Sequence, residues 1–395
     1  MGLMAEYISR KFGPKELEDE LLKKISEYNK LKNTSLIIYA SAIGKLDAES
    51  LSALCMDDYY TIYDMLSNNG SENLDFYIET PGGSGEAAEE IVKFIRNKFK
   101  TINFVISGEA KSAGTILALS GDEILMTNSG SLGPIDAQVR IGRSPVSSHD
   151  YLEWVKEKHK EATDNGALNL FDATVIAQIS PGELNGVIQA QTFAEDLVKE
   201  WLPKYKFKNW NVTETNKTIV DDEYRRKTAD AITTKLVDHS YWHSHGRSLK
   251  IADLNDTVGL KIIRIDDDPA LADIVYRIQT ILRLLFLNGP AYKIFATEGE
   301  KIFKNISQGP IGLPQVLPAN QGDVIGFDVK CGKCGEVHKL YAKFVPNSAI
   351  DKDFKDKGYE PFPKSNKLKC RCGVEMDLTA MRNKIETDIG KKFIL

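Results

Sequence analysis

Residues 74–136 alternate strand, glycine turn and helix twice in succession, a pattern that commits a chain to neighbouring parallel strands joined by helical crossovers. Leu74, Phe76 and Ile78 alternate with polar residues at strand period and run into the turn Thr80-Pro81-Gly82-Gly83-Ser84. The next segment places Ala87, Ile91, Ile95 and Phe99 at four-residue spacing, with Ala88 and Val92 widening the stripe. Glu86, Glu89 and Glu90 suit the positive end of that helix. The second unit repeats the logic: Ile102 to Ile106 is a short apolar strand, Gly108 to Ser112 a turn of mostly small residues, and Ala113 to Leu119 a helix apolar on nearly every side. A helix of that kind must be buried.

A serine between a strand and a buried helix has its hydroxyl on a rigid element, and the first amides of the helix have no intrahelical partner. Such amides can bind an oxyanion. Gly82 and Gly83 lack a Cβ, so their backbone can approach a substrate and supply a second N–H. Two donors and a nucleophile make an acyl-transfer site. A plainer account makes Pro81-Gly82-Gly83 a tight turn and Ser112 an N-cap. The pairing of two such turns after successive strands favours the acyl-transfer account.

The order strand-TPGGS-helix, strand-GEAKSAGT-helix, then DEILMTNSGSLGPIDAQ resembles the ClpP/crotonase superfamily. Within it, the pattern is similar to the serine proteases of the Clp, signal-peptide-peptidase and serine dehydrogenase proteinase groups, closest to the last, and the similarity runs less sharply from residue 34 to residue 300. The resemblance implies an α/β fold in which repeated ββα units wind in a spiral over 34–268. A helical arm at 1–33 precedes this domain and a helical extension at 269–321 follows it. By the same resemblance Ser112 is the nucleophile, and the main-chain N–H groups of Ala113 and of Gly82 or Gly83 form the oxyanion hole. A peptide or protein substrate and a homo-oligomeric assembly are implied with them. Two other readings stay open: a crotonase-like acyl-CoA enzyme recruiting Glu86 or Glu109, and an inactive oligomeric scaffold.

The general base is not fixed by the pattern. Aligning through Asn128-Ser129 puts Pro134 where Clp proteases carry the triad histidine. Relatives of the signal-peptide-peptidase type use a lysine a few tens of residues after the serine, and Lys156, Lys158 and Lys160 fall in that window on a helix near 150–162. A desolvated lysine is a competent base, and Lys156 is preferred. His239, His243 and His245 cluster within seven residues, and the His245-Gly-Arg segment is similar to one in the serine dehydrogenase proteinase group. That makes His245 the alternative base, and metal binding or surface duty the other uses of the cluster.

Four of five cysteines pair as Cys331-x-x-Cys334 and Cys370-x-Cys372, both flanked by glycine. With short strands at Val324–Val329 and Lys339–Phe344, they predict a small zinc-ribbon-like β domain at 322–395 holding a structural zinc on four thiolates. Its partner would be a protein or a nucleic acid. The fifth, Cys55, reads as core within a helix at 49–67 that carries Leu51, Leu54, Tyr59, Ile62, Met65 and Leu66.

Two helices flank the central region: Leu17, Leu21, Leu22, Ile25 and Tyr28 stripe the first, and Leu271, Ile274, Val275, Ile278, Ile281, Leu282 and Leu285 the second. The first reads as a flap, an oligomer contact or an arm, and the second as an intersubunit or interdomain contact, with intrachain core as the alternative. A net charge of −5 argues against a chain-wide nucleic-acid surface. The charged start and the short apolar runs predict no signal peptide, no membrane span and a cytoplasmic location.

Overall fold

The computed structural model describes residues 2–141, 144–213, 216–306, 324–389 and 391–394. The chain divides into two compact units, Met1–Ile306 and Ser307–Leu395. In the larger unit seven strands form one sheet: β1 Ser35–Ser41, β2 Asn73–Glu79, β3 Thr101–Ile106, β4 Glu123–Met126, β5 Ile263–Arg264, β6 Ala291–Ala296 and β7 Lys301–Asn305. Their spatial order is β7-β6-β1-β2-β3-β4-β5. β1 through β5 are parallel, while β6 lies antiparallel to β1 and β7 antiparallel to β6.

Strand period distributes side chains to two separate cores. Ile37 and Tyr39, Leu74, Phe76 and Ile78, Ile102, Phe104 and Ile106, and Ile124 and Met126 enter the first. Leu36, Ile38 and Ala40, Tyr77, Val105 and Leu125, at the intervening positions, enter the second. Helices α2 Met56–Ser67, α3 Gly85–Lys98, α4 Ala113–Leu119, α6 Pro181–Trp201 and α7 Asp222–Val237 cover the first face; α5, Ser148–Asn165, precedes α6. The other face is covered by α1 Pro14–Lys32 and α8 Pro269–Asn288. Every residue of α4 is buried, as its all-round apolar sequence requires. α8 starts where Pro269 fits the first helical position and the Asp268 carboxylate accepts the amides of Ala270 and Leu271. Its apolar stripe lies in this chain's own core, together with Leu17, Leu21, Ile25 and Tyr28 of α1.

Two local expectations are corrected. The segment 49–67 is not one helix: a 3-10 turn, Leu46–Leu51, precedes α2, and Cys55 is the N-cap between them, its amide bound by the Asp58 carboxylate at 3.0 Å. A cap residue lies outside the helical period, and Cys55 is exposed rather than core. Among the described residues of the expected helical extension 269–321, Pro269–Asn288 alone is helix, and β6 and β7 extend the sheet instead. Phe295 faces one core while Ile294 and Ala296 face the other, which is the alternation of a strand buried on both sides. The rest of that segment beyond residue 306, with the 321/322 boundary, lies outside the described residues. Among the described residues no helix is long and apolar enough to cross a membrane.

The smaller unit has a hairpin of Val324–Lys330 with Val337–Lys343 and a second of Lys367–Lys369 with Glu375–Asp377. Phe327, Val329, Leu340, Ala342, Phe362 and Met376 form its core.

A buried ion pair joins β6 to the start of α2. Lys293 is 1% exposed and Asp58 fully buried, and the Lys293 ammonium donates to Asp58 Oδ2 at 2.6 Å. The same carboxylate accepts from Tyr39 Oη at 3.1 Å and from Lys304 Nζ at 3.0 Å. Lys293 also donates to the Ala53 carbonyl at 2.8 Å. Removing one member of such a pair strands a buried charge, so Lys293→Met should lower the unfolding free energy by about 3 kcal/mol, the low end for a broken buried pair because Lys304 still faces Asp58. Denaturant unfolding followed by circular dichroism measures this; a loss under about 1 kcal/mol contradicts it.

Candidate active site

The turn after β2 and the turn after β3 lie side by side because their backbones bond to each other. Thr80 N donates to the Glu109 carbonyl at 2.8 Å and Lys111 N to the Thr80 carbonyl at 3.0 Å. This brings Gly82 against Ser112. A Cβ built on Gly82, whose φ is +104°, would sit 2.6 Å from Ser112 Cβ and 2.9 Å from the Lys111 carbonyl oxygen. Gly83, at φ +145°, packs equally tightly on Leu54, where a Cβ would lie 2.3 Å from the carbonyl oxygen. Leu54 grips both glycines: its N–H donates to Gly82 O at 2.7 Å, and its carbonyl accepts from Ser84 N at 2.9 Å.

Ser112 immediately precedes α4 with φ +49° and ψ −116°, a conformation that costs a non-glycine residue on the order of 1–3 kcal/mol and persists only where its surroundings enforce it. Its hydroxyl does not cap the helix. Ser84, by contrast, does cap α3, its Oγ accepting from Ala87 N at 3.0 Å. The N-cap account therefore fits Ser84 and not Ser112, whose half-buried side chain makes no hydrogen bond among the described residues. Two amides close to it are also free of partners among those residues, Gly83 N and Ala113 N, whereas Gly82 N donates to Thr80 Oγ1 at 3.3 Å. Gly83 rather than Gly82 thus has the uncommitted donor.

Behind Ser112 the site is tied down by two side chains. Thr115 Oγ1 lies 2.8 Å from the Ala110 carbonyl oxygen and accepts from Gly133 N at 2.9 Å. Lys111, 4% exposed, sends its Nζ to three acceptors: the Leu132 carbonyl at 3.1 Å, the Arg247 carbonyl at 3.0 Å and Ser248 Oγ at 2.9 Å. Burial, opposed by the Glu109 charge and assisted by Lys250, pulls the Lys111 pKa down to about 8. Leu132 and Leu249 exchange backbone bonds at 3.1 and 2.9 Å, so the segment after His245 is fastened beside the Ser112 turn.

His245 is held by Asp136. Its Nδ1 lies 2.9 Å from Asp136 Oδ1, and the fully buried carboxylate takes Gln138 Nε2 on its other oxygen at 2.9 Å. With Nδ1 engaged, Nε2 is the free ring nitrogen. The other two histidines go elsewhere: His239 Nδ1 meets Asp150 at 2.6 Å and His243 is exposed. Among the described residues no cluster of three metal-binding groups includes any of the three.

The lysines of α5 have neighbours of their own. Lys156 is 71% exposed and pairs with Glu153 at 2.7 Å. Lys158 pairs with Asp172 at 2.9 Å and Glu161 at 3.0 Å, contacts that raise its pKa above the ordinary lysine value. Lys160 is exposed. Lys156 and Lys160 are thus exposed to solvent, and Lys158, though largely buried, is held charged by two carboxylates. Asp136 and Lys111 carry no role in the sequence reading, although both left a trace there: an acid in the otherwise apolar and small Leu132-Gly-Pro-Ile-Asp136, and a lysine inside the small-residue turn before Ser112.

In the smaller unit Cys331, Cys334, Cys370 and Cys372 bring their sulfurs within 4.8 Å of one another, a group that could hold a metal ion. Cys331 to Cys372 and Cys334 to Cys370 are each 3.6 Å. The edge of a zinc tetrathiolate with bonds near 2.3 Å is about 3.8 Å, whereas a disulfide needs about 2.05 Å, so the spacing fits a metal.

Two uncharacterized proteins of Methanocaldococcus jannaschii are similar to this chain. MJ0137 is 26% identical over 193 residues, 47% of this chain and 62% of that protein, and MJ1495 is 29% identical over 127 residues, 32% and 39%. The chain thus spans less than two thirds of the length of either curated relative. Solved structures of the 1510-N membrane-bound stomatin-specific protease, two mutant forms of which one is in complex with a substrate peptide, align at 12% and 14% identity. They cover 56% and 55% of this chain and 79% and 72% of those chains, with a TM-score of 0.32 each. The family model of ClpP-like SDH-type serine proteinases matches residues 15–223, more than half of this chain, and the chain belongs to that family.

Proposed function

We propose that this chain hydrolyses peptide bonds through an acyl-enzyme on Ser112, with His245 as general base and Asp136 as the group that orients it. The observation that carries the reading is the uncommitted Ser112 hydroxyl, held at φ +49° beside two uncommitted amides. Ser112 Oγ attacks the peptide carbonyl carbon as its proton passes to His245 Nε2. The carbonyl oxygen becomes an oxyanion that accepts from Gly83 N and Ala113 N. One such donor is worth about 3–4 kcal/mol of transition-state stabilisation. Collapse expels the amine, which takes the proton from His245, and water then hydrolyses the ester by the same route in reverse. Substrate binding has to bring His245 Nε2 to Ser112 Oγ, since the two share no hydrogen bond in the free chain, and such bonds commonly tighten only in the substrate complex.

His245 is preferred to Lys156 because a lysine base must be desolvated and Lys156 is exposed and ion-paired. The missing Ser112–base hydrogen bond is also what favours the scaffold reading. A serine-reactive fluorophosphonate separates the two: labelling of Ser112 that is lost in Ser112→Ala supports the peptidase, and an unlabelled, folded chain supports the scaffold. In peptide hydrolysis Asp136→Asn should reduce kcat by roughly 10³–10⁴, as loss of a base-orienting aspartate does in serine proteases, while Lys156→Ala stays near wild type. The reverse order returns the role to Lys156. The substrate's identity, assembly into a homo-oligomer and a cytoplasmic location belong to the same proposal.

Lys111 should give kcat an alkaline limb. The charged ammonium has three N–H groups for three acceptors, and the neutral amine has two, so the fastening of the His245 segment weakens as pH rises through about 8. The fold does not weaken with it. A lysine depressed from 10.5 to about 8 leaves the unfolded chain binding more protons between those values, so this group's contribution to stability increases with pH there. The expected result is kcat falling above pH 8 with unchanged circular dichroism; a flat profile to pH 9.5 contradicts it.

The smaller unit is read as a zinc-ribbon-like module, with one zinc held by Cys331, Cys334, Cys370 and Cys372 and a protein or nucleic acid as its partner. Bound zinc would supply structural cross-linking, on the order of 10 kcal/mol of apparent binding energy for such sites. Cys331→Ser should lose zinc and expose residues 324–394 to protease while Ser112 still labels. Protease resistance with full zinc content would refute the assignment.

A further inference from the structure

We propose a second metal position in the smaller unit, formed by Glu336, His338 and the thiolate of Cys370, next to the four-cysteine group and sharing that one sulfur with it. Their ligand atoms lie within 4.8 Å of one another. The inference rests on the four-thiolate reading only in that Cys370 would bridge the two ions.

The register of the strand Val337–Lys343 is the first support. Its inward positions alternate, and Leu340 and Ala342 on that face are core residues at 1% and 2% exposure. Stepping back by two from Leu340 reaches His338, an inward position that the pattern would give to an apolar side chain, and Glu336 follows on the same side just before the strand begins. His338 is not satisfied by protein alone, and Glu336 relies on a thiol proton that metal binding would remove. His338 Nε2 is buried without a hydrogen-bond partner among the described residues, an expensive arrangement for a polar nitrogen. Glu336 Oε2 accepts from the Cys370 thiol at 3.2 Å, a bond that is lost once Cys370 gives up its proton to bind a metal. A carboxylate and a thiolate at that distance repel unless a proton or a cation lies between them, and Arg371 reaches only the other oxygen, at 3.4 Å. A cation bound by all three satisfies the nitrogen and removes the repulsion together.

Charge favours a second ion further. Four thiolates around one divalent zinc carry a net charge of −2, and Glu336 adds another negative charge beside them. The donor set of one imidazole, one carboxylate and one sulfur suits borderline divalent ions such as zinc or cobalt, and discriminates against magnesium and calcium, which prefer oxygen. Three protein ligands leave a tetrahedral ion with one open position, unlike the closed four-sulfur site. That position would take water or an external carboxylate or imidazole.

The test uses the full-length chain loaded with a slight excess of zinc, stripped of free metal by gel filtration, and examined by native mass spectrometry and elemental analysis. Two zinc ions per wild-type chain are expected, falling to one in both Glu336→Gln and His338→Ala. Cobalt replacement adds a second readout: the first equivalent should give intense sulfur-to-cobalt absorption, and the second a distinct visible band absent from both variants. One zinc in wild type that survives both substitutions, or two zincs in both variants, overturns the inference and leaves the four-thiolate reading standing. A wild-type chain with no zinc removes both. Circular dichroism of the more conservative Glu336→Gln excludes misfolding as the cause of a lost equivalent.

Discussion

The loop that faces Ser112 rests on the buried Asp58–Lys293 pair. Asp58 binds the Cys55 amide and Lys293 the Ala53 carbonyl, so the residue between them, Leu54, presents both its backbone groups to the Gly82–Ser84 turn. Leu54 then holds the turn against Ser112, donating to Gly82 O at 2.7 Å and accepting from Ser84 N at 2.9 Å, with Gly83 between the two bonds. Two glycines at positive φ would otherwise have much conformational freedom to lose. The pair therefore converts a strand added late in the chain, β6, into support for a turn more than two hundred residues earlier. An apolar pair could fill the same volume, but it could not anchor a carbonyl and an amide on either side of Leu54.

Strain at Ser112 is affordable because several independent groups enforce it. Thr115 fixes the start of α4 to the Ala110 and Gly133 backbone, the Thr80 backbone is bonded to both sides of the second turn, and all of α4 is buried. Lys111 extends this support outward to the segment carrying His245. The proposed nucleophile, oxyanion donors and base thus come from three stretches of chain held by backbone bonds and by one buried ammonium. Under that proposal the Ser112 and glycine turns are already ordered by folding, and the approach of His245 is what substrate binding has to supply.

The smaller unit solves a different problem. Among the described residues its apolar core is modest, so the proposed cross-linking by metal would be a physical substitute for buried area. The sulfur spacings of 3.6 Å suit that role, and the buried His338 Nε2 has no hydrogen-bond partner among the described residues, whereas the buried Asp58 and Lys293 of the larger unit bond to each other.

Local pattern alone determined the strands of 74–136, the buried character of α4, both glycine turns, the amphipathic helices and the pairing of the cysteines, because each depends on residues within a few positions of one another. Cys55 and the segment 291–305 went astray for other reasons: the Asp58 carboxylate, three residues on, caps the helix at Cys55 although the apolar spacing runs on through it, and the strand Ala291–Ala296, buried on both faces, has no polar alternation to announce it. Only tertiary structure decided that Gly83 rather than Gly82 has the spare amide, that Lys156 faces solvent, and that His245 meets Asp136 across 109 residues of chain. Such pairings are set by how strands order themselves in the sheet, and sequence separation carries no information about which loops that order brings together.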